Sequence, residues 1–159
     1  MDLQKLFAVA PALRTLDVMP RSFEDCDSLH LQVPINLQEL SIEWNYATFE
    51  EIKYLLSPMT QLVHLTIIAD EVNIDMADGA AWAQLLSKIV TFKFCFTFER
   101  FTFTQTQINF DSFRSPFWVD EKKWYVTCDR CDDTDFSLLY SSPYCVEEKA
   151  QLCDKYHSV

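Results

Sequence analysis

The sequence predicts an open α/β solenoid: parallel β-strands joined by crossovers that carry helices on the convex side, with a C-terminal β-hairpin cap. Three observations predict it. An apolar-x-x-apolar-x-apolar pattern recurs four times at nearly constant spacing. Three of the segments that precede these copies have apolar residues at helical spacing. The 159-residue chain is 49% hydrophobic and 23% charged, a balance that builds a core and excludes disorder, collagen and low-complexity linkers.

The four copies are Leu13-Arg14-Thr15-Leu16-Asp17-Val18, Leu37-Gln38-Glu39-Leu40-Ser41-Ile42, Leu62-Val63-His64-Leu65-Thr66-Ile67 and Ile89-Val90-Thr91-Phe92-Lys93-Phe94. Their starts are 24, 25 and 27 residues apart. A period in this range marks repeated supersecondary units that stack side by side. Within each copy the last three positions, apolar-x-apolar, have period two, as in a strand with one buried face. The expected strands are 13–18, 37–42, 62–67 and 89–98. They define a repeat region at 1–98 and a capping region at 99–159.

The connections follow the chain in order. Leu3, Leu6, Phe7 and Ala10 have helical spacing and are closed by Pro11. Residues 22–36 are short, acidic and contain Pro34, so no helix is expected there. Phe49, Ile52, Leu55, Leu56 and Met59 mark a helix, with Thr48 as N-cap, Glu51 completing a capping box and Pro58 helping to end it. Trp82, Leu85, Leu86 and Ile89 repeat the spacing after Asp78-Gly79.

Beyond the repeats, Phe92, Phe94, Phe96 and Phe98 alternate with polar residues and Cys95, predicting a long half-buried strand. Phe101 and Phe103 continue it after a phase shift at Arg100. Residues 107–118 suggest a short helix broken by Pro116. Residues 124–128 and 136–140 read as two strands around an acidic turn at 129–135. This hairpin would cover the apolar side of the last repeat, as a terminal cap must. Residues 147–159 form a charged end.

Residues 3–98 resemble leucine-rich repeats. Asn45, eight residues after Leu37, stands where such repeats often place an Asn whose amide satisfies backbone groups at the turn off the strand. Arg21, Asp70 and Thr97 hold that offset in the other copies. The unit from Leu55 to Ile67 resembles the repeat tails of F-box proteins, particularly an expanded invertebrate group. Ser112-Phe113-Arg114-Ser115-Pro116-Phe117-Trp118, followed by Glu121-Lys122-Lys123-Trp124-Tyr125-Val126, resembles that group more distinctively. The resemblance implies the substrate-binding repeat domain of an F-box-type ubiquitin-ligase adaptor. The F-box itself has no counterpart here, so the expectation is a fragment or a form without it. The ligase scaffold becomes a partner only if an F-box lies upstream.

Composition narrows the chemistry. A single glycine, Gly79, leaves no phosphate-cradling loop, dinucleotide fingerprint or Gly-x-Ser-x-Gly elbow, because each needs two or three glycines at fixed spacing. The net charge of −11 and pI near 4.5 oppose nucleic acid and anionic membranes, and suit a basic partner surface or plain solubility better. No stretch approaches the length of a transmembrane helix. The N-terminus is too short in apolar run and too charged for a signal peptide. Six cysteines are too sparse for a disulfide scaffold, which leads to the expectation of reduced thiols in the cytoplasm or nucleus.

Three groups of residues are candidate chemistry. Cys128-x-x-Cys131 with Cys145, Cys153 and His157 could supply four zinc ligands. The remaining spacings are not those of a standard knuckle, and Asp129, Asp132 and Asp133 disfavour a reactive thiolate. The expected role of these cysteines is structural, with no metal and no cofactor; a small metal-binding or enzymatic protein is the alternative. His30, His64 and His157 have no recognisable nucleophile context, so no catalytic residue is assigned and an enzyme is not expected. Glu24-Asp25-Cys26-Asp27 lacks the ligand alternation and glycine of an EF-hand loop. The variable strand positions Thr15, Asp17, Glu39, Ser41, Glu43, His64, Thr66 and Lys93 should share the concave face. They are the candidate partner-binding residues, which makes protein–protein recognition the expected function. A degenerate repeat duplicate without a partner is a further alternative.

Overall fold

The computed structural model describes residues 3–19, 34, 36–99, 110–130 and 136–142. Expectations for residues 20–33, 100–109, 131–135 and 143–159 lie outside these.

Strands β1 (Thr15–Val18), β2 (Glu39–Asn45), β3 (His64–Asp70) and β4 (Thr91–Glu99) run parallel. Then β6 (Phe136–Ser142) pairs antiparallel with β4, and β5 (Tyr125–Arg130) pairs antiparallel with β6 at the sheet's end, giving the order β1-β2-β3-β4-β6-β5. Leu16, Leu40, Leu65 and Phe92 are register partners across the four parallel strands. A one-residue slip would turn each strand's apolar set to the wrong face, so the alternation specifies this register. The strand entries share a device. The Arg14 carbonyl accepts from the Gln38 and Glu39 amides at 2.8 and 3.0 Å. The Gln38 carbonyl accepts likewise from Val63 and His64, and that of Val63 from Val90 and Thr91.

The strand exits differ. Tyr46 and Glu71, just after β2 and β3, take left-handed backbone conformations with φ of 59° and 52°. The Asp70 carbonyl accepts from the Tyr46 amide, while Thr97 accepts from Glu71 through its hydroxyl and from Val72 through its carbonyl. The Thr97 hydroxyl donates in turn to the Asp70 carboxylate. Thus Asp70 and Thr97, at the offset of Asn45, satisfy the amides freed at these turns.

Three short helices pack on one side of the sheet: α1 (Leu3–Val9), α2 (Phe49–Leu56) and α3 (Gly79–Leu85). The α2 capping box is closed, with the Glu51 amide donating to Thr48 Oγ1 and the Thr48 amide to Glu51 Oε2. The helix ends two residues before Pro58. Asp78 caps α3 by accepting from the Ala80 and Ala81 amides. Of the short helix expected over 107–118, the described part from Phe110 onward is a 3₁₀ turn at Phe110–Arg114 followed by a π turn at Phe117–Glu121, separated by Pro116, whose missing amide cannot continue a helical ladder.

The core is aromatic at its centre. Trp82 packs on Phe49, Phe92 and Phe96 at centroid distances of 5.0, 5.2 and 5.8 Å. Trp118 packs on Phe113, Phe117 and Trp124 at 5.0, 5.8 and 5.9 Å. Both indole N–H groups are satisfied, Trp82 by the Met76 carbonyl and Trp118 by that of Gly79, as burial of a polar edge requires.

The open solenoid with a convex helical layer and a separate hairpin cap is corrected by this architecture. The sheet is mixed, and its helices are segments of seven or eight residues. The hairpin does not lie over the last repeat; it extends the sheet, with its second strand on the inside. The cause lies in β4. Phe92, Phe94, Phe96 and Phe98 are fully buried on one face, but Cys95 and Thr97 on the other face are buried too. The C-terminal half of β4 is therefore an interior strand, and its backbone groups are paired by β6 from Cys95 to Glu99. A local apolar repeat cannot distinguish this arrangement from a solenoid, because both begin with parallel strands and crossovers on one side.

Candidate functional site

Period-two alternation places two sets of side chains on opposite faces of β1–β4. One set faces the helices. The other includes all eight candidate residues, in neighbouring rows. Thr15, Glu39, His64 and Thr91 are successive register partners, as are Asp17, Ser41, Thr66 and Lys93. Glu43 begins a third row that continues through Ile68, Cys95, Tyr140 and Thr127. Strands stand about 4.8 Å apart and same-face residues about 6.6 Å along each strand, so the eight candidate side chains lie side by side on one face, while Cys95 and Tyr140 in the third row are buried.

Thr15, Asp17, Glu39, Glu43 and His64 are exposed, while Ser41, Thr66 and Lys93 are half-buried. The face is divided in charge. Asp17, Glu39 and Glu43 bring three carboxylates to β1 and β2, whereas Lys93 lies on β4. In water these charges interact weakly with each other, but together they set a negative potential over the first two strands. Glu39, His64 and Thr91 follow one another across three strands in the order acid, imidazole, hydroxyl, yet no hydrogen bond among the described residues joins them, and a relay of protons needs such bonds. The arrangement suits recognition of a charged surface.

The hairpin adds residues that sequence reasoning missed. Tyr125, Thr127 and Asp129 on β5 and Tyr140 on β6 share this face, and the Tyr140 hydroxyl donates to Asp129 Oδ2 at 3.0 Å. Tyr125 is 55% exposed. The alternation of 124–128 signals a strand; what it lacks is the identity of the pairing strand, and so the face on which Tyr125 lies. Cys95, placed on this face by alternation, is fully buried with Leu138 and Tyr140.

The alternative metal group is described only in part. Cys128 is half-buried on β5, opposite Leu139 and packed against the main core. Cys131, Cys145, Cys153 and His157 lie outside the described residues. Among the described residues no group of three or more His, Cys, Asp or Glu side chains is placed to hold a metal ion. No helix among them is long and apolar enough to cross a membrane. No protein-family model matches the chain, and neither a curated protein nor a solved structure matches it.

Proposed function

We propose that this chain is a protein-recognition module whose open sheet face docks a protein surface bearing Lys and Arg residues. The observation that carries this reading is the placement of Asp17, Glu39 and Glu43 on two adjacent strands, among polar neighbours in register. Complementary charge of this kind steers encounter and selects partners more than it adds affinity. The chain's net charge of −11 acts in the same direction. The resemblance of residues 55–67 and 112–126 to the tails of F-box proteins supports a specific setting, substrate recognition for a ubiquitin-ligase adaptor.

The test is a titration with a hexalysine peptide, and with hexaglutamate as control, followed by amide chemical shifts. Saturable shifts at Asp17, Glu39 and Glu43 with hexalysine alone are expected. Glu39→Lys/Glu43→Lys should weaken binding by about tenfold or more. Asp111→Lys/Asp120→Lys, which changes exposed carboxylates off this face, should leave it nearly unchanged. Equal affinities for the wild type and the Glu39/Glu43 variant would reject the face.

A further inference from the structure

Among the described residues β1 is the outermost strand at one end of the sheet. In a sheet the amide and carbonyl of one residue point to the same side, and successive residues alternate between the two sides. The Glu39 amide donates to the Arg14 carbonyl, and Thr15 is the register partner of Glu39. The β1 groups that serve β2 are therefore those of Arg14, Leu16 and Val18. The amides and carbonyls of Thr15 and Asp17 point the other way, to the outer edge. Such a row of backbone groups is a template for a further strand.

The apolar surface beside this edge is incomplete as well. Leu37, Leu62 and Ile89, which precede β2, β3 and β4, are 1, 3 and 6% exposed. Leu13 stands at the same offset before β1 and packs on the same core, yet it is only half-buried. Val9, four residues earlier at the end of α1, is 80% exposed. What Leu13 lacks is a strand on the outer side of β1. An apolar side chain from an added strand would take this surface out of water, which is favourable.

We propose that the β1 edge takes an extended segment of a protein partner as a further strand, with a basic side chain beside Asp17 on the open face and apolar side chains on the side of Leu13. Thr15 and Asp17 offer two donors and two acceptors, and β1 has four residues, so the added strand is short. Main-chain bonds give such an addition its affinity, and the alternate side chains give it specificity. Opposite charges side by side on adjacent strands attract, and like charges repel. A second copy of this chain would bring its own Asp17 and a further net charge of −11 to the edge, so a basic segment is favoured over self-pairing. The proposal rests on the preceding reading only for this basic character.

The experiment titrates the whole chain with acetyl-Thr-Val-Lys-Val-Thr-amide, following amide shifts and hydrogen exchange. Saturable shifts at Thr15, Leu16 and Asp17 are expected, with exchange of the Thr15 and Asp17 amides slowed about tenfold or more. The same peptide N-methylated at every residue keeps its side chains and charge but donates no backbone bond, and should bind about tenfold more weakly. Gln in place of its Lys should weaken binding roughly threefold. Thr15→Pro removes an outward amide without breaking a β1–β2 bond, a change that edge strands tolerate, and should also lose about tenfold. Equal binding of the N-methylated peptide, or no shift at Thr15 and Asp17, would overturn the strand whether or not Thr15→Pro folds. Slow exchange of these two amides in the free chain would show an edge already filled, and shifts that depend on chain concentration would assign it to a second copy; either overturns the proposal. Hexalysine shifts at Glu39 and Glu43 without strand-peptide shifts at β1 would remove the edge and leave the open face standing, and the reverse would remove the face and keep the edge.

Discussion

The indole N–H of Trp118 donates to the carbonyl oxygen of Gly79 at 2.9 Å, across 39 positions of sequence. The Gly79 amide donates in turn to Ser112 Oγ at 2.9 Å. The chain's single glycine is thus held on both sides by the segment that follows β4, and that segment is locked to the start of α3. A Cβ on Gly79 would sit 2.8 Å from the Phe113 amide nitrogen and 2.8 Å from the Ser112 carbonyl carbon, so backbone would have to move. Gly79→Ala should therefore destabilise by about 1–3 kcal/mol through overpacking, despite the better helix propensity of alanine. Trp118→Phe should cost a similar amount, since it leaves the Gly79 carbonyl buried without its donor. Urea denaturation of the single and double variants checks this. Losses that add without coupling would mean that the two contacts are independent.

Leu40 lies between Leu16 and Leu65 in the register and is 1% exposed. Leu40→Ala should cost about 2–5 kcal/mol, because the side chains of β1 and β3 cannot close the cavity without shifting their strands. Denaturant midpoints at constant slope measure it. A loss below about 1 kcal/mol would show that the core relaxes around β2 far more readily than this packing allows.

The parts legible in the sequence are those governed by short-range rules. Alternation at Leu16, Leu40 and Leu65 and the Thr48–Glu51 pair are local patterns, and the same residues carry them in the structure. The eight candidate residues were likewise placed on one face by alternation alone. What was not legible depends on distant partners. Phe94 and Cys95 are adjacent, and both are buried, but only the pairing of Cys95 with Tyr140 explains the second. Nothing near β4 announces that a strand 40 residues later will pair antiparallel with it, and the expected solenoid failed at that point. The setting of Asp75 is illegible for a similar reason. Asp75 reads as an ordinary loop acid until the Phe49 amide, 26 residues away, is found on its carboxylate.

The capping box of α2 gives a local prediction. Thr48 Oγ1 accepts from the Glu51 amide, and Glu51 Oε2 accepts from the Thr48 amide at 2.9 Å. Thr48→Ala removes the first bond and should cost about 1 kcal/mol. Thr48→Ser should cost less, because its hydroxyl retains the cap. Thermal denaturation of the two variants checks the order; equal losses would point to the Thr48 methyl group rather than its oxygen.

Asp75 provides the pH dependence. Its carboxyl is held above the ordinary value of 3.8, first by burial and then by Glu50 and Glu51. Between the unfolded and folded values the native state binds more protons than the unfolded one, so this group's contribution to stability falls as pH rises through that window. The contribution is fully present below about 3.8, the unfolded value, and is gone once pH has passed the folded value. Asp75→Asn carries no such charge, and its amide oxygen can still accept from the Phe49 amide. The variant should therefore gain stability relative to the wild type as pH rises from about 4 toward neutrality, and the difference should level off once Asp75 is ionised. Urea midpoints of both proteins across that range measure the effect. A difference that shrinks with rising pH would mean that the ionised carboxylate is stabilised in the fold, which the shielded, partnerless Oδ1 does not allow.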